Sequence, residues 1–186
     1  MPKIEFDQKT RMFSSSNTLL ERCRRLQRDM DGEFLYGAVV GGDFYSPEDY
    51  PGAKPWEDCP WDKYKVRRLS DVIADKCGTC LEYTKYAHYM LDKMGVQNRT
   101  FMVLGNDGHL SHTFVIAYTG GGAYWLESAQ WKNRGMHRID TLADVGDKMA
   151  KHYTIYTFDQ DKVADKEMLG NEYVKWVKKQ NIILKK

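Results

Sequence analysis

DKCGTCLEYTKYAHYMLDKMG, residues Asp75 to Gly95, carries two cysteines, Cys77 and Cys80, just ahead of a helical pattern. Cys80, Tyr83, Thr84, Ala87, Met90, Leu91 and Met94 recur at i, i+3, i+4, i+7 spacing. That is the signature of a helix with one buried face. Thr79 is suited to its N-cap and Gly95 to its C-terminal stop, so the spacing predicts a helix from about Thr79 to Met94. Cys80 then begins the face that packs against something.

Downstream, "NRTFMVLG" (Asn98–Gly105), "SHTFVIAY" (Ser111–Tyr118) and "AYWLES" (Ala123–Ser128) read as strands. "NDG" and "TGGG" punctuate them as hairpin turns. "TLADVGDKMAKHY" reads as a helix with Thr141 at its cap, "YTIYTFD" as a strand, and "ADKEMLGNEYVKWVKK" as an amphipathic helix. Upstream, "SSSNTLLERCRRLQRDM" reads as a helix, with Ser and Asn offering caps and Leu19, Leu20, Cys23 and Leu26 at helical spacing. "FLYGAVV" (Phe34–Val40) is a short strand or buried run, and "LSDVIADK" a short helix. Gly41 to Tyr64 holds four of the five prolines and many aromatics without periodicity, which predicts a long loop, functional or wrapped on the surface. Helices followed by a run of antiparallel strands indicate an α+β fold.

Two of the strands carry residues of chemical interest. A hairpin centred between Thr119 and Gly120 places Ile116 opposite Ala123, Phe114 opposite Trp125, and His112 opposite Glu127. Facing residues share a sheet face, so an imidazole and a carboxylate come within hydrogen-bonding reach. A one-residue slip would separate them, whereas a two-residue shift would not. A thiolate in the first turn of a helix is favoured by the helix N-terminus and by a nearby imidazolium. If the helix packs on the sheet face carrying His112, then Cys80, His112 and Glu127 form a nucleophile, base and orienter.

These pieces together resemble the transglutaminase-like, papain-like cysteine-enzyme superfamily. Gly78-Thr79-Cys80 opens a helix that ends at Gly95, fifteen residues on, and "HTFVIAYTGGGAYWLES" supplies His112, Trp125 and Glu127 in order. The resemblance covers about Leu69 to Ile139. It implies a papain-like core in which Cys80 attacks an amide carbonyl, His112 moves the proton and Glu127 holds the imidazole. Glu127 departs from the usual Asp, and Gln130, Asn133 and Asp140 are the substitute orienters. The family's Gln ahead of the nucleophile is missing from "SDVIAD", which leaves the Cys80 backbone N–H as one oxyanion donor and Trp56 or Trp61 as candidates for a second. No metal or organic cofactor is required, and a protein or peptide is the expected substrate.

Other readings of the same residues exist. Cys77 is a second candidate nucleophile, or a partner that traps Cys80 as a disulfide. Cys77, Cys80, His109 and His112 are a possible Cys2His2 zinc set, with the His pair spaced too closely for the usual pattern. A thioredoxin-like role needs a strand before the CxxC, and "SDVIADK" is polar and helix-like. His88 reads as structural or exposed, and His137 and His152 have no motif around them. A catalytically inactive binding module on the same fold, contacting partners through the aromatic loop, is the main alternative to an enzyme.

Bulk properties narrow the class. With 186 residues, 42% hydrophobic and 13% aromatic, the chain has material for a core. Its 28 Lys and Arg against 26 Asp and Glu give a net charge of +2, which supplies no electrostatic case for nucleic acid. The basic "VKKQNIILKK" reads as a solvated helix end. No secretory signal and no membrane span is recognised, so the expected location is cytoplasmic, with Cys23, Cys59, Cys77 and Cys80 reduced and no membrane partner. Oligomeric state is left open. The expected organisation is a single domain, 1–186. Its core spans about 65–160, residues 1–64 form an extension, and a C-terminal helix covers 164–180.

Overall fold

The computed structural model describes residues 18–186. Its helices are α1 (Leu19–Glu33), α2 (Leu69–Asp75), α3 (Cys80–Lys93), α4 (Ala143–Met149) and α5 (Gly170–Val177). The principal sheet comprises β1 (Gln97–Gly105), β2 (Ser111–Thr119), β3 (Gly122–Glu127), β4 (Gly135–Ile139), β5 (Tyr153–Phe158) and β6 (Asn181–Lys185). Its strand order is β4-β3-β2-β1-β5-β6, and every neighbouring pair is antiparallel. The architecture is α+β, with helices packed on a multi-stranded antiparallel sheet.

Pleating sends alternate side chains to opposite faces. Val115 and Ala117 of β2 and Leu126 of β3 pack on Tyr83, Ala87, Met90 and Leu91 of α3 and on Cys23, Leu26 and Met30 of α1. Phe114, Ile116 and Trp125 turn the other way and pack with Val145 of α4. Met102 and Leu104 of β1 meet Leu81 of α3 and Tyr173 and Val177 of α5. Met90 and Leu91 are fully buried. Each such side chain contributes about 1.5–3 kcal/mol relative to exposure.

α3 follows its sequence signals closely. Thr79 caps it in a reciprocal capping box with Glu82, and Gly95 ends it at φ 68°, a left-handed conformation that favours glycine. α1 is capped by Thr18; the cap candidates Ser14, Ser15, Ser16 and Asn17 lie outside the described residues. Phe34–Val40 forms two short strands, Leu35–Tyr36 and Ala38–Val40. The first pairs in parallel with Cys77–Gly78, which brings Tyr36 beside the residues that precede the helix.

Three expectations need correction. The Gly41–Tyr64 segment is not structureless: Asp43–Ser46 and Lys54–Pro55 are strands, and Trp56–Asp58 is a 3-10 turn. The C-terminal helix is shorter than 164–180, running Gly170–Val177, because Met168–Leu169 pairs with Lys65–Val66 instead. The basic tail is not a helix end: Asn181–Lys185 pairs with β5 as the outer strand, and its β-branched Ile182 and Ile183 suit that state.

Candidate active site

The β2–β3 hairpin turns through Gly120–Gly121, with Thr119 opposite Gly122 and Val115 opposite Leu126. The register is therefore two residues from the expected one, and the shift keeps His112 and Glu127 on one face. Pairing between these strands stops at Val115↔Leu126, so the two residues meet beyond the last rung. His112 Nε2 lies 2.7 Å from Glu127 Oε2, with both side chains buried at 4% and 2% exposure. The other carboxylate oxygen, Oε1, accepts the backbone N–H groups of Ala129 and Gln130, each at 2.8 Å. Both oxygens are thus held, which fixes the direction from which Glu127 meets the imidazole. Gln130 and Asn133, considered as substitute orienters, bond each other at 2.9 Å, and neither bonds His112.

Helix packing does not bring Cys80 to His112 in the way expected. Alternation groups His112 with Phe114 and Ile116, on the face opposite the one that carries α3. Contact arises because Cys80 is the first residue of α3 and His112 the second of β2. The two elements meet at their ends, which puts the thiol and the imidazole close enough to shift each other's titration.

This contact sets the charge state of the pair. Burial pushes the Cys80 thiol up, but the hydrogen bond and charge of His112, together with the Thr113 N–H, outweigh it and hold the thiol below its ordinary value of 9.0. For His112, burial favours the neutral ring. The Glu127 carboxylate and the Cys80 thiol outweigh that and raise it from 6.5 to about 10. A lowered thiol beside a raised imidazole favours moving the proton from sulfur to the ring, and the Glu127 carboxylate is hydrogen-bonded to that ring. The first residue of a helix also has no intrahelical acceptor for its N–H, which leaves that donor of Cys80 free for a ligand.

The other cysteines differ. Burial raises Cys23 to about 11 and also raises Cys59. Burial raises Cys77 despite the opposing Arg67 guanidinium, which lies 3.5 Å from its sulfur and also bonds its carbonyl oxygen. All four cysteines are free thiols. His109 is exposed on the turn before β2. Among the described residues, the one cluster of three possible metal-ligating side chains is His88, Asp92 and Asp161, which shares no member with the Cys2His2 set. His88 is half-buried there, bonded to Asn98 and Asp161.

At the third position of α3 lies a buried carboxylate that no sequence pattern marked. Glu82 is 1% exposed. Its Oε2 accepts from Tyr64 Oη at 2.6 Å and from Thr79 N and Oγ1, each at 2.8 Å. Its Oε1 accepts from Arg67 N at 3.2 Å and lies 3.5 Å from Arg67 Nε. Gly78 explains itself by the same hub, since a Cβ there would overlap the Cβ of Glu82. We expect Gly78→Ala to cost about 1–3 kcal/mol, the usual range for overpacking. Urea denaturation checks this; a change within 0.5 kcal/mol, the ~0.5 kcal/mol scale of neutral surface changes, would remove the steric account.

Gln27 of α1 is a second support that the sequence did not reveal. Its Nε2, buried, donates to the Glu127 carbonyl and to Ser128 Oγ, both at 2.7 Å. Tyr36 is a third. Burial, followed by the nearby charges of Cys80 and Glu127, raises its phenol well above the ordinary value, so it stays protonated beside the thiol. A single tyrosine in a seven-residue apolar run gave no signal of this. Trp56 and Trp61 do lie near the thiol, where they help to line a cavity onto which Cys80 opens.

No protein-family model matches the chain, and no curated protein matches it. Two solved structures are partly similar. One is a protease candidate from Parabacteroides distasonis, 14% identical with a TM-score of 0.46, covering 87% of this chain and 27% of that one. The other is a cysteine-protease candidate from Cytophaga hutchinsonii, 13% identical with a TM-score of 0.44, covering 82% of this chain and 52% of that one. The chain spans less than two thirds of the length of either. No helix among the described residues is long and apolar enough to cross a membrane.

Proposed function

We propose that the protein is a cysteine-dependent acyl-transfer enzyme acting on an amide, with hydrolysis as the default outcome, in the manner of the transglutaminase-like and papain-like enzymes. The observation that carries this reading is the buried His112–Glu127 pair, its carboxylate anchored by Ala129 and Gln130, with the Cys80 thiol beside it held below its ordinary value.

The Cys80 thiolate attacks the carbonyl carbon. A C–S bond forms, and the carbonyl electron pair moves onto oxygen, stabilised by the Cys80 N–H and by the protonated phenol of Tyr36. As the tetrahedral species collapses, the C–N bond breaks and His112 gives its proton to the leaving amine. Water, deprotonated by His112, then releases the thioester as a carboxylic acid; an amine acceptor in its place would make the reaction a transfer. Glu127 holds the ring orientation and favours its charged form throughout. A peptide or protein amide is the proposed substrate, and the chemistry needs no metal or organic cofactor.

Iodoacetamide labelling across pH, resolved by cysteine with mass spectrometry, tests the reading. Cys80 is expected to react with a midpoint below 9.0, while Cys23, Cys59 and Cys77 lag above it. Cys80→Ala is expected to remove that early phase and to abolish acyl-enzyme formation. If all four thiols titrate alike, a binding module becomes the better description.

A further inference from the structure

The thiol opens onto one side of a cavity of about 350 Å³. That is near the lower end of the ~300–1,000 Å³ found for ligand pockets, space for one side chain rather than an extended peptide. Its wall is a run of four aromatic rings. Tyr36 stacks on Trp56 at 5.7 Å, Trp56 meets Trp61 edge-on at 4.4 Å, and Trp61 meets Tyr64 at 5.6 Å. Leu81 and Val174 complete the apolar lining. Apart from Cys80 and the tyrosine phenols, no acid or base lines it. Glu82, behind Tyr64 and Thr79, and Glu127, on His112, have their oxygens already occupied, so neither offers a carboxylate to a cationic ligand.

We propose that this cavity is the subsite for the acyl group's own side chain, and that it selects a neutral aromatic or large aliphatic one. The proposal rests on the cysteine acyl-transfer reading. The leaving amine must meet His112, which donates its proton, and His112 does not line the cavity. Whatever fills the cavity is therefore the part that stays on sulfur after the C–N bond breaks. Stacked and edge-on rings reward an aromatic guest beyond its buried area. A carboxylate on the guest would lose its water with no cation in the lining to replace it, and an ammonium would find ring faces but no lining carboxylate to make up for its lost hydration.

p-Nitrophenyl esters test this, since thiolate attack releases nitrophenolate and leaves the acyl group on Cys80. The esters are 3-phenylpropanoate, acetate, monosuccinate and 3-aminopropanoate, each compared with its uncatalysed hydrolysis. The expected acylation rate for phenylpropanoyl exceeds that for acetyl at least tenfold, with both charged acyl groups slower than acetyl. Trp56→Ala, which opens the wall, and Val174→Phe, which fills the space, should each bring the phenylpropanoyl-to-acetyl ratio toward one. Equal rates for all four esters, or no acylation by any, in a protein whose Cys80 alkylates below its ordinary range would overturn the subsite and leave the nucleophile standing. A Cys80 that neither acylates nor alkylates early would overturn both.

Discussion

Replacing His112 by Gln should reverse the sign of the Cys80 shift. In the wild type, burial raises the thiol and the imidazole more than offsets it. With the ring gone, burial is left largely unopposed, so the alkylation midpoint should move from below 9.0 to above it. Each unit of that movement is tenfold in thiolate at neutral pH. On the proposed mechanism the variant also loses the proton donor for the leaving amine, so acylation by an amide should fall by about 10²–10⁴-fold at pH 7. Stability should change its pH dependence as well. The raised His112 value stabilises the fold fully below 6.5, and that contribution is lost as pH rises through about 10. The lowered Cys80 value acts oppositely: its contribution is present above 9.0 and lost as pH falls through the depressed value. His112→Gln should flatten the His112 component, visible as a shallower fall in urea midpoint between pH 7 and 10. An alkylation midpoint unchanged by the substitution would show that the imidazole does not control the thiol.

Glu82→Leu should be the most destabilising single change near the site. It strips an acceptor from Tyr64, Thr79 and the Arg67 backbone, and leaves the buried Arg67 guanidinium short of one carboxylate. Breaking a buried ion pair from one side costs about 3–5 kcal/mol, against a total stability of about 5–15 kcal/mol for a typical domain. Glu82→Gln keeps the shape and one acceptor oxygen, and should cost less. Urea unfolding of the three proteins distinguishes a charged hub from a merely packed one. A loss below 1 kcal/mol for the Leu variant would mean that the hub contributes little.

The helix and its caps were legible because their signals are local: Thr79, Glu82 and Gly95 act within one or two turns of their own backbone. The pairing of His112 with Glu127 was legible for another reason, since a two-residue error in hairpin register preserves the face. Three adjacent glycines left the turn centre open, and Gly120–Gly121 rather than Thr119–Gly120 forms it. The reach of His112 to Cys80 was not legible, because face alternation argues against it and only the juxtaposed element ends permit it. β4 was missed because Gly135–Ile139 alternates poorly. β6 was missed because flanking lysines outweighed two isoleucines in the reading. Glu82, Gln27 and Tyr36 act through partners distant in sequence, such as Glu127, a hundred residues from Gln27. No local pattern encodes such pairs.

The Gln27 contact changes how the chain can be divided. Residues before the motif helix resemble an appendage in sequence, yet one amide from α1 reaches across to brace the backbone from which Glu127 projects. Tyr36, from the same stretch, sits beside the thiol through the parallel pairing of Leu35–Tyr36 with Cys77–Gly78. A trimmed fragment beginning near residue 65 would keep the thiol, the imidazole and the carboxylate. It would lose the strut that aims the carboxylate and the wall that closes one side of the cleft. The smallest portable unit is therefore larger than the span from Cys80 to Glu127.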